Sequence, residues 1–106
     1  MLIDFTRLIT NLDDEAVDDG KVTLGTVCEN ALMAVTKKTS ELTGDVKAHR
    51  GLLALEIHRD GEVDVMAEDV AMLKGVVADA YGPLIVMRAW ELLDPKTQVK
   101  DVSAKH

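Results

Sequence analysis

A chain of 106 residues with 47% apolar and 29% charged residues has room for one globular domain that buries about two-thirds of the surface its unfolded form exposes. That balance excludes global disorder and leaves no space for a second domain. The formal charge is −7, and because Lys96, Lys100 and Lys105 are offset only by Asp101 at the C-terminal end, the body is more acidic still. Such a field repels phosphates and anionic lipid, so direct binding to nucleic acid or to a membrane surface is not expected. Cys28 stands alone, which excludes an internal disulfide and points to a reducing compartment. The opening MLIDFTRLITNLDDE has an acid at Asp4 and no apolar run of signal-peptide length, and no stretch approaches a membrane span. A cytoplasmic location in the host cell is the expectation.

In chain order, residues 2 to 9 place Ile3 and Phe5 among aliphatic and β-branched neighbours, and KVT at residues 21 to 23 makes a second short run. The acidic, turn-prone DDEAVDDG between them predicts a β-hairpin with a loose loop. From Leu24 to about Val35 the positions Leu24, Val27, Cys28, Ala31, Leu32 and Val35 recur at three- and four-residue steps, the spacing of one helical stripe, with Thr23 as its N-cap. KKTSELTG breaks that pattern. Thr43 then caps a second helix with Asp45 in its first turn, predicted to run to about His58 and to bury Val46, Leu53, Ile57 and His49.

A third helix starts at Glu68 and Asp69, with its stripe at Val70, Leu73, Val76, Val77 and Ala80. Gly82 and Pro83 end it and begin a fourth, PLIVMRAWELL, which carries Ile85, Val86, Ala89, Trp90 and Leu93. Its apolar coverage is wide enough to suggest a central position or pairing with another subunit. Asp94-Pro95 closes the domain, and KTQVKDVSAKH has too few apolar groups to offset the entropy of ordering. The expected architecture is mainly α: an N-terminal β-hairpin and about four helices in a small bundle over residues 1–95, with a flexible tail over 96–106.

One connector invites a specific chemistry. In EIHRDGEVDVMAED, residues 56 to 69, placing Gly61 at position six of a calcium loop sets Asp60, Val63 and Asp64 correctly at five, eight and nine. Position one is then Glu56, position three His58 and position twelve Ala67, so the strongest ligands are replaced or missing. A helix stopped at Asp60-Gly61, followed by an extended piece over Glu62 to Val65, needs no ion, and the connector is expected to be EF-hand-like without calcium ligands. His49 and His58, nine residues apart, do not share a helical face, and Cys28 has no partner at zinc-like spacing. No nucleophile-and-base motif and no phosphate-loop spacing is present, so neither catalysis nor a cofactor is expected.

With only Phe5, Tyr81 and Trp90 as aromatics, the core must be aliphatic, and Met33, Met72 and Met87 are expected to fill it. Trp90, with Val86 and Leu93, is the candidate contact surface, because tryptophan is enriched where protein partners bind.

From Val22 to Asp94, about two-thirds of the chain, the order VTLGTVCENAL, a polar linker, GDVKAHRGLLALEIHRDGEVDVMAEDVAMLKGVVADAYG and PLIVMRAWELLD resembles a family of small, uncharacterised phage and prophage proteins. These share a TLG…NAL opening, a K…R…LA…I helix, a V.LTAEE…IK segment and a closing PL.V…AWELL. The shared pattern is one of packing residues, so the resemblance implies origin and brings no functional residue with it. In this chain Met66 stands where a Ser or Thr would cap the third helix, leaving the first amides of that helix to the acids of its first turn or to water.

The expected function is that of a phage-derived accessory protein, not an enzyme, which binds an unknown protein partner or a second copy of itself, with virion assembly as the setting. The alternatives are an acidic regulator that occupies a basic groove on another protein, through the acid-rich loop 13 to 19, and a divalent-ion-binding helix-loop-helix module at 56 to 69.

Overall fold

A computed structural model describes residues 1–95. The expected tail over 96–106 lies outside the described residues. The chain is mainly helical, in the order β1 (Leu2–Asp4), α1 (Leu24–Met33), α2 (Lys37–Ser40), α3 (Gly44–Asp60), β2 (Glu62–Asp64), α4 (Ala67–Ala80) and α5 (Pro83–Leu93). A tight turn at Val17–Gly20 interrupts the connection from β1 to α1.

α1 is the central helix, packed between α3 and α4, while α5 lies on α4 and reaches the edge of α1. Its start is fixed by Thr23, in extended backbone, whose hydroxyl accepts from the Thr26 amide at 3.1 Å. Leu24, Val27, Cys28, Ala31 and Leu32 are all buried, as their spacing predicts. Val35 is not. The helix stops at Met33 because Thr36 must be extended to cap α2, where Thr36 and Thr39 satisfy one another's backbone amides reciprocally. Val35 is therefore left 92% exposed in the connector, and Met33 turns outward with it.

The N-terminal hairpin is present as antiparallel pairing, with Leu8 opposite Thr23 and Thr10 opposite Ala16. The regular strand β1, however, takes its ladder from β2, with Leu2 opposite Asp64, Ile3 opposite Val63 and Asp4 opposite Glu62. Ile3 and Val63 face inward and their neighbours outward, the two-residue alternation of a half-covered sheet. The extended piece read after Gly61 is thus β2, and its partner comes from the far end of the sequence. Gly61 makes the corner: its φ is +73°, its N–H donates to the Ile57 carbonyl, and its own carbonyl accepts from the Phe5 amide at 2.7 Å.

Thr43 caps α3 as expected, accepting from the Val46 amide at 3.3 Å. Of the 17 residues of this helix only Leu53, Ala54 and Ile57 are buried. α1 has 10 residues, so at about 1.5 Å per residue it covers little more than half of α3. The first two turns overhang, and Val46 and His49, expected inside, are exposed. α4 buries Val70, Leu73, Val76 and Val77 but not Ala80, which sits at its exposed end. α5 runs from Pro83 to Leu93 behind a Gly82 N-cap, the boundaries expected from its sequence. No helix among the described residues is long and apolar enough to cross a membrane.

Candidate interaction face and cavities

α5 is apolar almost all the way round, yet only Ala89 and Leu93 are enclosed by the fold. Leu84, Ile85, Val86, Trp90 and Leu92 are half-buried, and Met87 is 37% exposed. Of the three residues singled out for contact, Leu93 is fully enclosed and offers nothing to a partner, Val86 rests half-buried against the core, and Trp90 keeps part of its surface in solvent. Trp90 is also held in place. Its indole N–H donates to the Lys74 carbonyl on α4 at 3.1 Å, and the Lys74 ammonium lies 4.6 Å from the ring centroid. Lys74 is further tied to Asp94 at 3.8 Å. The tryptophan is thus the anchor between α4 and α5, and the open part of the helix lies at Val86 and Met87 beside it. Met87 was expected in the core together with Met33; of the three methionines named, only Met72 packs against it.

Arg88 points the other way from α5 and pins the acidic N-terminal loop. Its guanidinium donates to the Asn11 carbonyl at 2.7 Å and to Asp14 at 3.0 Å, with Glu91 at 3.4 Å. The loop needs such a fastening, because Asp14, Asp18 and Asp19 all have left-handed backbone, with φ of 62°, 50° and 54°. Asp13, Glu15, Asp18 and Asp19 remain exposed.

The connector at 56 to 69 does not assemble a calcium loop. Glu56, His58 and Asp60 all belong to α3, where alternate positions diverge by about 200° around the axis. Instead His58 Nδ1 meets Glu29 Oε1 on α1 at 2.9 Å, and His49 Nε2 meets Asp69 Oδ1 on α4 at 2.8 Å, so the two histidines tie α3 to different helices. Asp64 lies beside the Met1 amine at 2.7 Å. Among the described residues no group of three or more His, Cys, Asp or Glu side chains could hold a metal ion. Cys28 is fully enclosed in α1, and burial, with the Glu29 charge adding to it, pushes its thiol from the ordinary 9.0 up to about 12. At neutral pH it is a packed thiol and not a nucleophile.

Two adjoining cavities were not foreseen. One, of about 330 Å³, lies between α1, α2 and α4, with Ala31, Leu42, Met72 and Val76 among its walls; the other, of about 300 Å³, lies between the α1–α2 connector and the overhanging turns of α3. Ala34, Thr39, Leu42 and Arg50 line both. Nothing periodic marks these residues in the sequence, because the first half of α3 carries no apolar stripe and α2 is only four residues long.

No protein-family model matches the chain, and neither does any curated protein or solved structure.

Proposed function

We propose that the protein is a phage- or prophage-derived accessory factor that acts by binding another protein, without catalysis and without a cofactor. The resemblance over Val22 to Asp94 supports the origin, and virion assembly is the setting proposed with it. The observation that carries the mode of action is α5, a helix with apolar residues on nearly every side of which only Ala89 and Leu93 are enclosed. Val86 and Met87 stand four and three residues before Trp90, so each neighbours the tryptophan on the helix surface. Docking a partner there removes that stripe from water, at about 25 cal/mol for each Å² of apolar surface covered. Nucleic acid and membrane are not the intended partners of so acidic a chain.

A Met87→Glu variant is the clean test, because Met87 makes up the open side of the stripe while Trp90 also holds α4 to α5. We expect the wild-type protein to self-associate or to retain a specific partner from prophage-induced cells. Met87→Glu should lose that association at least tenfold, with unfolding temperature unchanged within a few degrees. Equal light scattering and equal partner capture by the two proteins would remove α5 from the account.

A second mode is favoured by the exposed acids Asp13, Glu15, Asp18 and Asp19 on one fastened loop: occupation of a basic groove on another protein. Ionic strength separates the two modes, since a complex held by the loop weakens steeply with salt and one held by α5 does not.

A further inference from the structure

Two glycines inside helices are explained by neither backbone nor packing. Gly51 in α3 and Gly75 in α4 both have ordinary helical backbone, and a Cβ placed on either meets no atom within 4 Å. Each weakens its helix relative to alanine. Each also lines one of the two adjoining cavities, Gly75 the larger and Gly51 the smaller, so what the two missing side chains provide is open space.

The charge around that space runs against the rest of the molecule. In a chain of net charge −7, the cavity walls carry Lys38, Lys47 and Arg50 and a single carboxylate, Asp79, already paired with Lys38 at 3.2 Å. Arg50 makes no hydrogen bond or ion pair among the described residues, and its Nε is buried without a partner. An enclosed guanidinium donor left unsatisfied is costly, since the group is charged. Arg50 lines both cavities, so an anion that enters either one can meet its guanidinium. The remaining lining is largely apolar, and each cavity is near the lower end of the range for small-molecule sites, about 300–1,000 Å³.

We propose that the paired cavities beneath α2 bind a small amphipathic carboxylate, with its apolar tail among Ala31, Leu42, Met72 and Val76 and its head group on Arg50. The bidentate geometry of guanidinium with carboxylate favours that head group over a neutral one. α2, whose start is fixed by the Thr36–Thr39 capping box, and Leu42 just after it form the cover, Thr39 and Leu42 lining both cavities. No residue of α5 lines either cavity, so the site stands independently of the protein-binding stripe.

The test is a titration of the protein with decanoate below its micelle concentration, read by calorimetry and by amide chemical shifts, with decylamine as the control of equal tail and opposite charge. We expect saturable 1:1 binding, shifts centred on Ala31, Leu42, Met72 and Gly75, and at least tenfold weaker binding of decylamine. Arg50→Gln should weaken decanoate at least tenfold, and Gly75→Leu, which fills the space without altering charge, should weaken it as much while raising the unfolding temperature. The absence of saturable binding would overturn the proposal, as would equal binding of decylamine or indifference to both substitutions. It would also fail if the same amides shifted with protein concentration alone, because the space would then belong to a second copy of the chain.

Discussion

Met66 stands at the N-cap of α4 with the extended backbone of a capping residue, φ −70° and ψ 153°, but its side chain accepts nothing and is 63% exposed. The helix start relies on Glu68 and Asp69 in the first turn. Met66→Ser should therefore add about 1 kcal/mol, since no packing is lost, and raise the unfolding temperature by about 4–8 °C. Thermal unfolding followed by circular dichroism checks this. Gly25 is the opposite case. Its N–H donates to the Phe5 carbonyl at 2.8 Å, and a Cβ would stand 3.0 Å from that same oxygen. The oxygen cannot retreat without breaking the bond. Gly25→Ala gains up to about 1 kcal/mol of helix propensity but forces overpacking of about 1–3 kcal/mol, so a net loss is expected in a denaturant titration. The capping residues were legible from the sequence. The reason for the glycine in TLG was not, because it lies in the N-terminal segment that crosses the helix start.

At the level of elements, the helices announced themselves through spacing and caps: α5 has the boundaries that Gly82, Pro83 and Asp94 suggest, and α1 begins at its Thr23 cap. Failures occur where one element limits another. Val35 leaves the α1 stripe because α2 claims Thr36 as its own cap. Val46 and His49 are exposed because α1 is shorter than α3. The α4–α5 pair hangs on Trp90, whose N–H reaches a main-chain carbonyl of α4. Trp90→Phe keeps a ring under the Lys74 ammonium but loses that hydrogen bond, so it should cost about 1 kcal/mol and lower the denaturation midpoint without changing the slope of the transition. Within the candidate site, Val86 and Trp90 were legible as an apolar stripe, whereas the enclosure of Leu93 depends on how α5 packs into the core.

For the whole molecule, Cys28 couples stability to alkaline pH. Its thiol titrates near 9.0 when exposed and at about 12 when folded, so between those values the unfolded chain has released a proton that the native state retains. Stability is therefore fully present below about pH 9 and falls above it, by up to about 1.4 kcal/mol per pH unit, until the folded thiol itself ionises. Denaturation midpoints measured from pH 8 to 11 should decline less steeply in Cys28→Ala than in the wild type; parallel declines would show that other groups govern the alkaline limit. Composition, charge, helix positions and most buried stripes follow from the order of residues, because helical periodicity, capping and turn chemistry act over a few neighbours. The pairing of β1 with β2, the overhang of α3, the outward turn of Met33 and Met87, the fastening of Trp90 and the two cavities at Arg50 come from the three-dimensional packing. Each depends on relative element lengths and on contacts between distant segments, which no local pattern encodes.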